Sequence, residues 1–425
     1  MRIAVIGSGI SGLSAAYLLS RRHEVTLFEA GQRLGGHSNT VQVEAGTGQL
    51  AIDTGFIVCN AVNYPNFYKL MAELGVALVP SDMSLGVSVA QGRVEWAGDD
   101  NLLKIFAQPS LLASPTHLRM LTSVLRFNRH VKKLLAEDRL PEITLGEFLE
   151  QHGYPMALRV RYVAAMAGPI WSCSTRGVME FPFPAFARFF ESHGLLSVAD
   201  RPQWMTVDGG SRSYVERLRA KSRATIHTGM PVRGLSRHAE GARLRTDAGE
   251  AEFDVVLCAA HSDQALALLE DASAEERAVL DAVPFASNHA VLHRDPGLMP
   301  RRRRVWSSWN ALLAEDGLSD SPIGVTYWMN RLQPLRTDQQ WFVSLNPPRP
   351  PARESVVYET TYTHPQYTPA TIAAQQRLPS IQGGNRVWWA GAWTAYGFHE
   401  DGLRSGLRAV AGIDRDCLPE WVEGL

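Results

Sequence analysis

The chain has 425 residues, too many for one ordinary core and suited to two or three domains. Charged residues make up 20% and the formal net charge is -1, so nothing overall draws it to nucleic acid, and no such partner is expected. Cys59, Cys173, Cys258 and Cys417 stand far apart without a C-x-x-C or Cys/His cluster; they point away from zinc and read as free thiols in a reducing compartment.

The first predicted element is "RIAVI", residues 2–6, a short apolar run suited to a buried parallel strand. Gly7, Ser8, Gly9, Ile10, Ser11 and Gly12 follow and fit G-x-G-x-x-G between a strand and a helix. Gly7 permits the tight turn, Gly9 lets backbone approach a diphosphate, and Gly12 lets the helix lie close on the strand. The helix N-terminus then offers free N–H groups and a partial positive charge to phosphates. Ile10, Leu13, Ala16 and Tyr17 mark the helix's apolar face. "EVTLFE", residues 24–29, is the second strand of this βαβ unit. It ends in Glu29, which can accept both hydroxyls of a ribose. The opening stretch superficially resembles a signal peptide, but its glycines and the acidic strand argue against one. No window reaches the roughly 18 uncharged apolar residues of a membrane span, so the expectation is a cytoplasmic protein, soluble or peripheral to the inner membrane face.

Residues 60–200 alternate apolar helical stretches with Pro and aromatic clusters. "FPFPAFARFF", 181–190, reads as core, with an apolar channel wall or membrane-facing entrance as the alternative. Strands return in "ATIHTGMPVRGL", "ARLRTD" and "FDVVLCAA", and a second β-rich section spans 285–345. "MPRRRR", 299–304, is a solvated basic turn or a clamp for an acyl carboxylate or phospholipid headgroup. After a Pro-rich link, "NRVWWAGA" predicts one more buried strand, and a closing helix is expected to begin near Gly402. The predicted fold class is α/β. A Rossmann-like domain over 1–60, 204–270 and 383–425 is interleaved with an α+β substrate or cap domain over 61–203 and 271–382.

"GQRLGGHSNT", 31–40, resembles the G-x-R-x-G-G segment of the amine oxidase and phytoene desaturase superfamily of FAD enzymes. "IDTGFIV", 52–58, resembles that superfamily's D-x-G segment beside the flavin, and Gly391, Trp393, Thr394 and the Gly-led helix after them resemble its G-D/E-x-T ending. The resemblance implies non-covalent FAD. The first mouth would hold its diphosphate and the last helix would face the pyrimidine end of the ring, stabilising charge that appears on reduction. On this footing the cofactor residues are the six of the glycine turn, then Glu29, Ala30, Arg33, Gly35, Gly36, His37, Ser38, Gly55, Phe56, Val232, Gly391, Ala392, Gly402 and Leu403. The chain departs from the family at His37, where Arg is usual, and at Ala392, where an acid is usual. "GGHSNTV", "HSDQAL", "WSSWN", "YWMN" and "AYGFHEDGL" look like a bacterial group of FAD/NAD-binding amine-oxidase-like proteins, itself similar to the amino-terminal flavin region of plant cyclopropane fatty acid synthases.

That last likeness implies a long apolar acyl substrate, a fatty acid or phospholipid chain, undergoing desaturation or a related C–H oxidation. The other readings are a flavin-dependent double-bond isomerase or hydratase, an amine or carotenoid oxidoreductase, and a non-catalytic flavoprotein partner of a lipid methyltransferase. Monoamine oxidases usually use a lysine near the flavin, and none lies in "VTYWMN" or "RVWSSWN", which disfavours amine chemistry. His399, Tyr396 and His261 are the candidates for moving a proton. Trp306, Trp309, Asn310, Trp328 and Asn330 are core residues or substrate wall.

Overall fold

Alternation along the opening strand sets the layering. A computed structural model of the protein describes residues 1–46, 48–98, 101–197 and 202–425. Arg2–Ile6 is the middle strand of a five-stranded parallel sheet, in the order Thr225–His227, Glu24–Phe28, Arg2–Ile6, Val255–Cys258, Val387–Trp389. Successive side chains leave opposite faces. Ile3, Val5, Val25, Leu27 and Leu257 enter one core, while Ala4, Ile6, Phe28, Val256 and Cys258 enter another. Both faces are therefore covered, as a parallel sheet requires.

Helix Ile10–Leu19 packs in the first core with every residue buried, together with Leu218, Leu403 and Leu407 of two later helices. On the opposite face lies an antiparallel three-stranded sheet, Val232–His238, Gly241–Thr246 and Gly249–Phe253, bringing Leu235 and Leu244. The closing helix is His399–Ile413, so it begins three residues before Gly402. Its start is fixed by Asp401, whose carboxylate accepts the backbone N–H groups of Tyr396 and Phe398, both at 3.1 Å.

A seven-stranded sheet stands beside this unit, in the order Val356–Pro365, Phe285–His293, Phe342–Leu345, Gly324–Trp328, Trp309–Leu313, Leu85–Val89, Val94–Gly98. Helices including Pro115–Ala136, Leu145–Gln151 and Phe183–Ser192 share an aromatic core with it. The "FPFPAFARFF" segment is interior: Phe181, Phe183, Phe186, Phe189 and Phe190 are all buried, and Phe183 stacks on Phe148 at 3.8 Å between ring centroids. The basic turn at 299–304 is organised from within. Glu95, fully buried, accepts the backbone N–H of Arg301 (2.7 Å) and of Arg302 (3.1 Å) and the Arg302 guanidinium (2.9 Å). Arg303 lies over the Trp306 ring. Among the described residues no helix is long and apolar enough to cross a membrane.

Candidate active site

Both helix mouths open on one cavity of about 580 Å³. Ser8, Gly9, Ile10 and Ser11 line it at the first mouth; Gly397, Phe398 and His399 line it at the last. Gly7 has φ +96°, and its N–H donates to the Phe28 carbonyl at 2.8 Å. A Cβ on Gly7 would stand 2.9 Å from the Ala259 carbonyl oxygen, which fixes glycine there. A Cβ on Gly9 would meet nothing within 4 Å, so this residue borders open space where a ligand's phosphates can reach the helix N–H groups.

Glu29 is oriented before any ligand arrives. Its Oε2 accepts from the Ser8 N–H (2.9 Å) and the Ser8 hydroxyl (2.6 Å), and its Oε1 from the Gly31 N–H (2.7 Å). Ala30, Gly35, Gly36, His37, Gly55, Phe56, Val232, Gly391 and Ala392 also line the cavity, as does Gly7. An elongated dinucleotide such as FAD fits this set. Glu29 would hold a ribose hydroxyl pair, the first mouth and Gly36 would hold the diphosphate, and Gly391 with the start of the closing helix would be left for the ring system. None of the four cysteines lines the cavity, so the described residues offer no thiol for a covalent link.

Six expected residues stand outside it. Gly12 lies beneath the turn, where a Cβ would be 2.0 Å from the Gly7 carbonyl oxygen. Arg33 binds its own loop, donating to the carbonyls of Gly36 (2.6 Å) and Ser38 (3.2 Å). Ser38 hydrogen-bonds the Tyr214 hydroxyl. Gly402 is a contact between helices, its Cβ position 2.8 Å from Ile10 Cγ2, and Leu403 is buried core. Tyr396 packs near Phe189, which removes it from the reacting centre.

The histidines divide into two groups. His399 reaches the cavity, but it stacks on Phe56 at 3.8 Å between centroids and shares a 2.8 Å hydrogen bond with the Tyr214 hydroxyl. Burial pushes it down to about 3, so it stays neutral near pH 7 and is a poor base there. His399 thus lines the cavity as a neutral ring held by Phe56 and Tyr214. His37, His261 and His364 form the second group; the His37 ring lies 5.2 Å from His364 and 6.2 Å from His261. Burial lowers all three, and neighbouring imidazoles lower His37 and His364 further.

Sequence reasoning missed the far wall. Tyr362, Thr363, His364 and Pro365 reach the cavity from the end of "TYTHP", and Tyr327, Pro169, Ile170, Val343 and Leu345 join them. Period-two spacing of Tyr362 and His364 was the available signal. Of the five second-domain candidates, Trp309 lines the cavity; Trp306 and Asn310 are buried, and Trp328 and Asn330 bond Gln340 and Gln339.

A family model described as flavin containing amine oxidoreductase matches residues 10–297. The Mycobacterium tuberculosis protein named flavin-containing monoamine oxidase AofH is 26% identical over 268 residues, which are 60% of this chain and 56% of that protein. The chain thus spans little more than half the length of this curated relative. Cyclohexylamine oxidase from Brevibacterium oxydans superposes with a TM-score of 0.67 at 18% identity, covering 98% of this chain and 99% of that one. A fatty acid isomerase from P. acnes superposes with a TM-score of 0.68 at 13% identity, covering 97% and 98%. At these identities the superpositions establish the fold alone, an α/β region with a separate α+β domain; the FAD-binding role of the α/β region rests on the family match.

These findings overturn the acyl-lipid expectation and the disfavour shown to amine chemistry. The family match and the sequence relative both lie with amine oxidases, and the isomerase shares architecture alone. The phenylalanine segment is closed into the core, the first of its two readings, and in the arginine turn the Arg302 guanidinium is bonded to Glu95 while Arg301, Arg303 and Arg304 stay exposed.

Proposed function

The chain belongs to the flavin containing amine oxidoreductase family, and on that footing we propose that it oxidises an amine with an uncharged, apolar body. It is an FAD-dependent oxidoreductase whose cofactor is held non-covalently. Bound FAD supplies the acceptor for a hydride leaving the carbon that bears nitrogen. The protein's part is to orient that C–H bond, exclude water and accommodate the amine's proton.

The charge inventory of the cavity carries the reading. No Arg or Lys lines it, and Glu29, at the nucleotide end, is its sole carboxylate among the described residues. An amino acid would bring a carboxylate with no cation to meet it. A diamine would bring a second ammonium with no anion. Leaving such a charge unpaired in a desolvated cavity costs several kcal/mol. The wall opposite the glycine turns is Ile170, Trp309, Tyr327, Val343 and Leu345, which suits an aliphatic or aromatic body.

His364 suits the free base of the amine. Its Nδ1 accepts from the Asn288 amide (3.2 Å), with the Ser172 hydroxyl at 2.8 Å, so the neutral ring carries its proton on Nε2. That N–H can donate to an amine lone pair, which an ammonium lacks. Anaerobic mixing of the purified holoenzyme with cyclohexylamine, putrescine and leucine tests the proposal. Loss of oxidised-flavin absorbance is expected with the first alone. Bleaching by leucine or putrescine but not by apolar monoamines would overturn it.

A further inference from the structure

The longest helix, Pro115–Ala136, buries Met120, Phe127 and Val131 and turns Leu118 and Leu125 outward. These two lie seven residues apart, on one face. Leu112 and the short-helix pair Leu102 and Leu103 are also exposed. The two helices meet: Phe106, directly after the short one, packs edge-on against His117 of the long one at 5.6 Å. The five leucines, all on this helix pair and the segment joining it, are 43–66% exposed, more than solvated helices need.

The charge of the same segment is one-sided. Residues 101–136 contain Lys104, Arg119, Arg126, Arg129, Lys132 and Lys133 and no Asp or Glu. Acids stand at either end, at Glu137 and Asp138 and at Asp99 and Asp100, the latter two outside the described residues. Arg126 is held over Tyr154, Lys132 lies by Ser197 and Glu191, and Lys133 by Glu137, whereas Arg119 and Arg129 make no ion pair or hydrogen bond through their side chains among the described residues. Exposed leucines interleaved with Arg119 and Arg129 match a surface that is apolar below and uniformly negative above: leucines enter the acyl boundary while guanidinium groups sit among phosphates. A protein partner would ordinarily be met by charges of both signs.

We propose that this face docks the protein peripherally on an anionic phospholipid surface. The proposal concerns attachment and does not depend on what the cavity oxidises. The test is sedimentation of the holoenzyme with phosphatidylcholine vesicles, with and without phosphatidylglycerol, at low and high salt. The variants are L118S/L125S and R119Q/R129Q, at solvent-facing positions remote from the cavity lining, with FAD content and melting temperature as folding controls. Binding is expected only with phosphatidylglycerol, weaker in high salt, and reduced roughly tenfold or more by each double variant. No vesicle binding, equal binding to both vesicle types, or binding that neither variant changes would overturn it. Self-association, or capture of an acidic protein, that L118S/L125S abolishes while vesicles are ignored would assign the face to a protein instead and overturn it equally.

Discussion

Gly406 of the closing helix and Ser11 of the opening helix meet backbone to backbone: a Cβ on Gly406 would lie 2.6 Å from the Ser11 carbonyl oxygen. Gly402, one turn earlier, gives Ile10 the same room. The spacing between the two mouths is thus set by two side chains that are absent. Gly406→Val is predicted to lower stability by about 1–3 kcal/mol through overpacking and to weaken FAD binding as the mouths part. Gly384→Ala, where an added Cβ meets nothing within 4 Å, is the control. Denaturant melts and FAD titration of the apoprotein decide it; a stable Gly406→Val that binds FAD normally contradicts the spacing argument.

Among the described residues Glu29 is the one carboxylate that lines the cavity, and Ser8 and Gly31 already aim it. Glu29→Gln keeps its shape and removes its charge. A charge-assisted hydrogen bond is worth roughly 1.5–3 kcal/mol, so the Kd for FAD should rise about ten- to a hundredfold. The readout is flavin fluorescence quenching on titration into apoprotein. An unchanged Kd would put the ribose contact elsewhere.

His364→Phe keeps an aromatic ring on the cavity wall and deletes the Nε2 donor. The expected result is a KM for an apolar monoamine raised about five- to tenfold, the equivalent of one hydrogen bond, with FAD content unchanged. Loss of FAD in this variant would instead mean that His364 supports the cofactor.

Acid should destabilise the fold. Burial holds His193, His293 and His364 down to about 4 and His399 to about 3, whereas each titrates near 6.5 when unfolded. Below 6.5 the unfolded chain therefore binds more protons, and stability is lost as pH falls toward 4. Asp53 and Asp401 act in the opposite sense. Burial raises both from 3.8 to about 6, so their contribution improves as pH falls through 6. The four histidines have the larger combined shift, and the net slope follows them. Urea melts from pH 7 to 4.5 should show the decline. His293→Gln, which can keep a bond to Ser344, should flatten it by up to about 1.4 kcal/mol per pH unit. An unaltered slope would mean that His293 does not titrate as its burial implies.

The parts of the site that the sequence made legible are those where backbone geometry demands a residue type. Gly7 needs a positive φ and Gly12 a missing Cβ, and both demands leave a mark that can be read without a structure. The far wall left no such mark. Tyr327, Trp309 and His364 line one cavity because their three strands belong to one sheet, and their spacing along the chain does not encode that sheet's order. His399 looked like a proton carrier because it adjoins a helix mouth; its neutrality depends on Phe56 and Tyr214, both distant in sequence. The carboxylate that organises the arginine turn was hidden for the same reason, since Glu95 lies 206 residues before Arg301.

The order of synthesis adds a consequence to the placing of the two mouths. The turn at Gly7 emerges among the first residues made, but Gly391, Ala392, Trp393 and the start of the helix His399–Ile413, which complete its cavity, come hundreds of residues later. At roughly 5–20 residues per second, a nascent chain carries a finished phosphate turn for tens of seconds with nothing opposite it. FAD capture therefore belongs to the chain synthesised through residue 413. Until then the apolar far wall has no ligand in front of it, and cofactor supply governs how long it stays that way.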